Sequence, residues 1–389
     1  MNRSPSPSNP GVGECVRPAV DRPLVVHLVT SLDFGGVESH METLANHADG
    51  TAMRLLFCAI GSGGAVERKL TAAGAQVICL QAPVRLPAVP AIAGLYRLFR
   101  RLRPLVVHTH GAEANFCGLI AAWLARVPVR IGEEIGMPDH GRRARWTFRA
   151  VYLLADRVIG ISQAVTDWLV ASGEVPARKA RRMYNPVTLP EFGPGRAGDD
   201  GLFRIGFVGR LEQVKNPGVL VAVLGRLREA GIPAQLWLIG DGSQRAMLQQ
   251  QVAAAGLAGW VVFHGYVDDP ARLVRQCDLY VQPSLSEGFG LAFVEAMGCG
   301  VPVVVTATGG AAEIVDDGVT GWIVSSPEEA ILTNALLRAH ALGPARRASI
   351  AEKARASVET RFVPERYLCD LQSLYAQVLD DAKPADVQN

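Results

Sequence analysis

The stretch Asp278-Leu279-Tyr280-Val281-Gln282-Pro283-Ser284 runs on into Glu287-Gly288-Phe289-Gly290-Leu291-Ala292-Phe293-Val294-Glu295-Ala296-Met297-Gly298. Its first part predicts a buried strand closed by a proline turn. Ala292 to Met297 predicts a largely buried helix. Glu287 then sits in the loop at the strand's carboxyl end, and Glu295 in the first turns of the helix. In an open α/β sheet that edge is where ligands bind. A buried, ionised carboxylate needs a partner. Carboxylates only accept hydrogen bonds and hydroxyls donate them. The two acids, eight positions apart, therefore read as holders of sugar hydroxyls.

The same strand–helix alternation extends outward in both directions. Leu24 to Val29 predicts a strand that opens into Gly35-Gly36 and a helix carrying Met41, Leu44 and Ala45. A glycine pair before a helix N-terminus fits either an anion site or a tight turn. The G-x-G-x-x-G dinucleotide fingerprint is missing there, against a nicotinamide dehydrogenase. Further strands are expected at Arg54–Ile60, Gln76–Leu80, Leu105–His110, Val127–Gly132 and Asp156–Ser162, with a helix at Leu95–Leu102. His110 falls at a strand end, and His108 shares its side of the sheet. For His108 the structural reading stands. A Pro/Gly-rich run from Tyr184 to Gly195 marks a domain boundary.

The alternation then starts afresh. Strands are expected at Phe203–Val208, Gln235–Ile239, Val261–Phe263, Asp278–Val281 and Val301–Val305. Another follows the turn that begins at Asp317, and Leu368, Leu371, Leu374, Tyr375 and Val378 recur at helical spacing. Two such runs predict two Rossmann-like domains with parallel sheets covered on both faces. Gly209-Arg210 ends the first strand of the second run, and Lys215 follows on its loop. Two cations at a strand end can neutralise a diphosphate, arginine bidentately and lysine as a point charge.

A length of 389 residues fits two or more domains. With 49% hydrophobic and 20% charged residues, the chain can bury sizeable cores. A formal net charge of +2 argues against bulk nucleic-acid binding, so no nucleic-acid partner is expected. Seven scattered cysteines point to free thiols in a reducing cytosol. Residues 1–22 read as a disordered tail without the apolar segment of a signal peptide. No apolar run approaches the ~18 residues of a membrane span. Arginines 97, 100, 101 and 103 and the stretch Arg142 to Arg149 fit either solvated helix faces or an anionic membrane surface.

Taken together, Gly35-Gly36, His110, Gly209-Arg210 with Lys215, the E-x7-E pair Glu287 and Glu295, and Gly309-Gly310 resemble the GT-B-fold retaining glycosyltransferases of family 4. The resemblance runs from about Leu24 to about Val378. It implies an α/β, GT-B architecture of two Rossmann-like domains facing a central cleft, with a C-terminal helix crossing back to the first. The boundaries it suggests are a tail at 1–22, an acceptor-side domain at 23–187, a linker at 188–201, a donor-side domain at 202–364 and the crossing helix with a short tail at 365–389.

The resemblance also implies roles. Arg210 and Lys215 would bind the donor's diphosphate and stabilise the departing nucleotide. Glu287 would hold donor-sugar hydroxyls and Glu295 the ribose. Gly290, Leu291 and Ala292 would offer backbone N–H groups, Gly36 beside Gly35 would approach the phosphate, and His110 would lie beside the transferred sugar. Gly209 delivers Arg210, while Gly265 and Tyr266 fall where the nucleobase is held. The implied reaction moves a hexosyl-type sugar from a nucleotide sugar to a glycan or lipid-linked saccharide, with retention, in bacterial cell-surface polysaccharide or lipopolysaccharide synthesis. No cofactor is expected. No D-x-D motif has a sheet-end context, which fits a metal-independent enzyme. A nucleotide-sugar epimerase or hydrolase, and a non-catalytic nucleotide-sugar-binding protein, are the alternatives. The expected location is cytoplasmic, with peripheral association at the inner face of the plasma membrane. Glu133 and Glu134 stand where many relatives carry a Thr/His pattern, which opens an acceptor-contacting role for either.

Overall fold

The computed structural model describes residues 22–33, 35–84, 88–138, 140–190 and 201–381. The expected tail at 1–22, apart from Arg22, lies outside the described residues, as do 191–200 of the expected linker and 382–389. Seven strands form the first sheet: β1 (Leu24–Val29), β2 (Arg54–Ala59), β3 (Gln76–Cys79), β4 (Val106–His110), β5 (Val129–Glu134), β6 (Arg157–Gly160) and β7 (Ala180–Arg182). Six form the second: β8 (Phe203–Val208), β9 (Ala234–Ile239), β10 (Val261–Gly265), β11 (Leu279–Gln282), β12 (Val303–Thr306) and β13 (Trp322–Val324). Both sheets are parallel, in the orders 3-2-1-4-5-6-7 and 10-9-8-11-12-13.

Apolar continuity decides which strands lie inside. β1 and β4 are buried along their whole length, as expected of parallel strands with helices on both faces. On one face Met41 and Leu44 of the helix Gly36–Asn46 meet Val25, Val29 and Phe57. On the other, Ala91, Leu95 and Phe99 of the helix Val89–Leu102 meet Val26, Leu28 and Val107. The second sheet is covered in the same manner, with Leu220 and Leu224 on one side and Phe293 and Met297 on the other.

The C-terminal helix Pro364–Asp381 leaves the second domain and packs Tyr367, Leu371, Leu374, Tyr375 and Val378 into the first. Each fully buried side chain of this kind stabilises the contact by about 1.5–3 kcal/mol, so this helix is a strong tie between the lobes. Two elements go beyond the sequence expectation. The last strand expected in the first half, Asp156–Ser162, is confined to Arg157–Gly160, and β7 adds an edge strand beyond it. The helix Gly343–Arg361 packs Ala354 and Val358 against the Glu295-bearing helix Leu291–Gly298.

Candidate active site

In both sheets the strand order reverses beside the first strand of the sheet, between β1 and β4 and between β8 and β11. Such a switch point opens a crevice between diverging loops. The residues singled out in the sequence leave from these strands. Gly35-Gly36 follows β1, His110 ends β4, Gly209-Arg210 and Lys215 follow β8, and Glu287 follows β11. The two crevices face each other: a Cβ placed on Gly36 would lie 3.2 Å from Leu291 Cδ1 of the opposite lobe.

Glu287 is 8% exposed, and its Oε1 accepts three hydrogen bonds: from Lys215 Nζ at 2.6 Å, Gln282 Nε2 at 2.6 Å and Ser284 Oγ at 2.8 Å. Gln282 is itself fixed by Tyr280, whose hydroxyl donates to Gln282 Oε1 at 2.5 Å. Oε2 of Glu287 has no partner among the described residues. The carboxylate is thus held in one orientation with one oxygen to offer. Beneath it, Gly309 has φ +53, and a Cβ there would lie 1.9 Å from the Glu287 carbonyl oxygen. Only glycine lets the two loops approach this closely. Arg210 is exposed, and its side chain has no hydrogen-bond or ion-pair partner among the described residues. Across the cleft stands Glu38, whose pKa is raised by burial against the opposing pull of Ser31 and Arg210.

Glu295 is one turn into its helix and lines a cavity of about 330 Å³ between the lobes, with Ser39, Thr43, Asp269, Ala292 and Cys299. Burial alone raises its pKa to about 7, so a donor hydroxyl that meets it favours the ionised form. Lys69 of the first lobe bridges Glu42 (3.4 Å) and Asp268 (3.3 Å) near this cavity. Gly265 ends β10 at φ +70. Tyr266 is 56% exposed, and its hydroxyl donates to Asp268 Oδ1 at 3.1 Å. Backbone N–H groups of Leu291 and Ala292 begin the helix that follows Gly290, where the dipole favours negative charge.

His110 occupies the expected strand end, but both of its ring nitrogens are engaged inside the first lobe. Nδ1 lies 2.8 Å from Glu133 Oε1, and Nε2 lies 3.0 Å from His27 Nδ1. His108 pairs with Tyr375 Oη at 2.8 Å and approaches Glu133 Oε2 at 3.4 Å. Tyr367 Oη donates to the same carboxylate at 3.5 Å. Glu133 therefore faces the interior and is 1% exposed. Glu134, 2% exposed, accepts from Tyr152 Oη at 2.9 Å, and burial raises its pKa to about 7. Neither acid presents itself to the cleft. His27, His108 and His110, and separately His40, His110 and Glu133, bring potential metal-ligand atoms within 4.8 Å. The rings of His27 and His110 are stacked, as are those of His108 and His110. Stacked rings point their nitrogens in parallel planes, and the short contacts between these groups are of hydrogen-bond length.

Sequence reasoning missed Gln282 and Ser284 as site residues, and also Ser162 and Glu313, whose contacts cross between the lobes. A polar pair at the end of an apolar strand was the available signal for Gln282 and Ser284. Nothing local marks the other two.

Residues 196–357 match the family described as glycosyl transferases group 1, and residues 34–190 match glycosyltransferase family 4. The D-inositol 3-phosphate glycosyltransferase of an Arthrobacter species is 39% identical over 136 residues, which is 33% of this chain. The chain spans 32% of that relative's length. The lipopolysaccharide core biosynthesis mannosyltransferase LpcC of Rhizobium leguminosarum is 27% identical over 75% of this chain and 83% of its own. Anabaena HepE, whose crystal structure holds UDP and glucose, is similar in fold with a TM-score of 0.79 at 24% identity, over 90% of this chain and 99% of that one.

Proposed function

Because the chain belongs to the group 1, family 4 glycosyltransferases of the GT-B fold, we propose that it moves a hexosyl-type sugar from a nucleotide-diphosphate sugar to a glycan or lipid-linked saccharide, with retention of configuration. The product is a bacterial cell-surface polysaccharide or lipopolysaccharide. The observation that carries this reading is the Lys215–Glu287 pair at the switch point of the second sheet, beside Arg210, which is unpaired among the described residues.

Breaking the glycosyl–phosphate bond leaves positive charge on the sugar and negative charge on the diphosphate. Lys215, held by Glu287 before the reaction, and Arg210 on the neighbouring loop stabilise the leaving group electrostatically. Lys215 has three N–H donors, so the bond to Glu287 leaves others for phosphate oxygens. Glu287 Oε2 accepts from a hydroxyl of the transferred sugar, and Glu295 accepts from the ribose. The acceptor hydroxyl attacks from the face the diphosphate leaves, and its proton passes to the departing phosphate oxygen. The similarity to the lipopolysaccharide core mannosyltransferase LpcC supports a saccharide acceptor, and the UDP and glucose bound to HepE support a nucleotide-sugar donor.

The test is a panel of UDP-, GDP- and ADP-sugars with saccharide acceptors, run with and without a chelator. One donor gives a glycoside whose anomeric carbon keeps the donor's configuration by NMR, and the chelator leaves the rate unchanged. An inverted product sinks the retaining reading, and release of a free epimer from donor alone replaces the transfer reading.

A membrane-bound acceptor is supported by the outer face of the first lobe. There the helices Val89–Leu102, Ala112–Leu124 and Arg142–Leu153 lie side by side. They expose Tyr96, Trp123, Leu124, Trp146 and Leu153 among the arginine clusters, with Trp146 70% exposed. Aromatic and basic side chains together suit an interface with anionic headgroups. No helix among the described residues is long and apolar enough to cross a membrane. The chain is expected to sediment with phosphatidylglycerol vesicles, and R142E/R143E/R145E to release it. Sedimentation unaffected by that triple reversal removes the membrane from the proposal.

A further inference from the structure

The loop carrying Glu287 is held from both lobes. The Gly288 carbonyl accepts from the Gly310 N–H at 3.1 Å within the second lobe, and from Ser162 Oγ at 2.7 Å across the cleft. Ser162 is fully buried and also caps its own helix, Gln163–Ala171, by accepting from the Val165 N–H at 3.2 Å. A Cβ on Gly288 would lie 2.3 Å from the Ile135 carbonyl oxygen, so the first lobe is in tight contact with this loop. One side chain closes the arrangement. Glu313 projects from the short helix after Gly309-Gly310 into the N-terminus of Gln163–Ala171. Its Oε2 accepts from the Gln163 N–H at 2.9 Å and from Tyr184 Oη at 2.9 Å, and its Oε1 from the Ala164 N–H at 3.3 Å. Tyr184 lies just ahead of the passage between the lobes, and Arg182 and Arg361 stack over its ring. Arg361 also donates to the Glu313 backbone oxygen at 2.7 Å.

We propose that Glu313 is a positioning residue that clamps the two lobes and, through the shared Ser162–Gly288–Gly310 contact, sets the loop that presents Glu287 to the donor sugar. It touches no reacting atom. A carboxylate fits this place because two free helix N–H groups and the helix dipole all favour negative charge there, and charge-assisted hydrogen bonds are the stronger ones. The clamp joins Glu313 and Gly309-Gly310 in one short segment. A change in lobe separation therefore moves the platform beneath Glu287. The groups assigned to the nucleoside diphosphate, Arg210, Lys215 and Glu295 of the second lobe with Gly36 of the first, make none of the clamp's hydrogen bonds.

This rests on the transfer reading above, and the experiment separates the two. Wild-type chain, Glu313→Gln, Glu313→Ala and the double variant Glu313→Gln/Tyr184→Phe are compared for transfer kcat, for affinity to UDP and GDP, and for radius of gyration by X-ray scattering. A neutral amide of the same size presents an N–H2 to a cluster of donors, so Glu313→Gln suffices to loosen the clamp without a cavity. The expected result is a fall in kcat of about tenfold to a hundredfold, the scale of a small displacement of a reacting group. Nucleotide affinity stays within about twofold, because its ligands lie outside the clamp, and the radius of gyration rises. Adding Tyr184→Phe changes little further, since both substitutions break the same contact. A kcat equal to wild type overturns the proposal. So does a loss of transfer matched by equal loss of nucleotide binding with no change in scattering. If the wild-type chain transfers no sugar, the functional reading has failed, and the scattering comparison still judges the clamp.

Discussion

Lys215→Ala lowers the rate of sugar transfer by about 10²–10³-fold, or roughly 2.7–4 kcal/mol of transition-state stabilisation, while the chain stays folded. The size follows from place and charge. Lys215 sits on the loop after β8, at the switch point, and is about one-fifth exposed, so the loss of its side chain empties little core. Its ammonium is the only cation paired with Glu287 among the described residues. Removal has two effects on the reaction. The leaving diphosphate keeps only Arg210, and Glu287 keeps only Gln282 and Ser284 to orient it. Lys215→Arg restores the charge but not the point geometry, so it recovers part of the rate. Single-turnover transfer rates beside thermal unfolding curves measure both consequences. A kcat within about threefold of wild type, against the scale expected for one lost electrostatic contact, sinks the assignment of Lys215 to the leaving group.

That pair also marks the boundary of what the sequence disclosed. The strand ends were readable because apolar runs such as Leu24–Val29 and Leu279–Gln282 stop at glycine, proline or polar residues. The order of two β/α series then put Arg210, Lys215 and Glu287 on ligand-facing edges. Their mutual arrangement was not readable. Lys215 and Glu287 are 72 positions apart, and only the neighbouring of β8 and β11 brings them to 2.6 Å. The edge strand Ala180–Arg182 was hidden for a different reason: three residues, two of them arginine, carry no apolar alternation. Gly343–Arg361 was hidden because its helix is mostly polar and buries a narrow stripe of alanines, Ile350 and Val358. Glu133 is the most instructive case. In the sequence it is an acid at a strand end, open to an acceptor. In the fold the tyrosines of the C-terminal helix arrive from 234 and more positions away and enclose it.

Glu133→Ala therefore acts on stability first, with a loss of about 3–5 kcal/mol, the usual consequence of removing one partner from a buried ionic contact. The substitution leaves the His110 Nδ1, His108 Nε2 and Tyr367 Oη groups facing an apolar methyl. Buried polar groups without partners are costly, more so here because two lose a hydrogen bond together and His108 Nε2 loses its nearby carboxylate. Burial would raise the Glu133 pKa, but the charges and hydrogen bonds of His110 and His108 win and hold it well below 4.5. Its stabilisation is thus complete above the unfolded value near 4.5 and is lost as the pH falls through the lower folded value. The gap between wild type and Glu133→Ala is widest above pH 4.5 and narrows below it. The surrounding histidines add a second acid sensitivity that both proteins share. Burial lowers the pKa of His27 well below 6.5, of His40 to about 3 and of His108 to about 4. Between pH 6.5 and those folded values the unfolded chain binds protons that the native chain does not, so stability falls on acidification. Glu133 raises the pKa of all three, so its removal carries their native values lower still. The variant shares the decline that begins near pH 6.5, carries it to lower pH because its native histidine values are lower, and lacks the separate Glu133 contribution that wild type loses below 4.5. Urea midpoints at pH 7.5, 6, 5, 4 and 3 follow both components, and a gap unchanged from pH 7.5 to pH 3 shows that Glu133 does not stabilise the lobe as an ionised group.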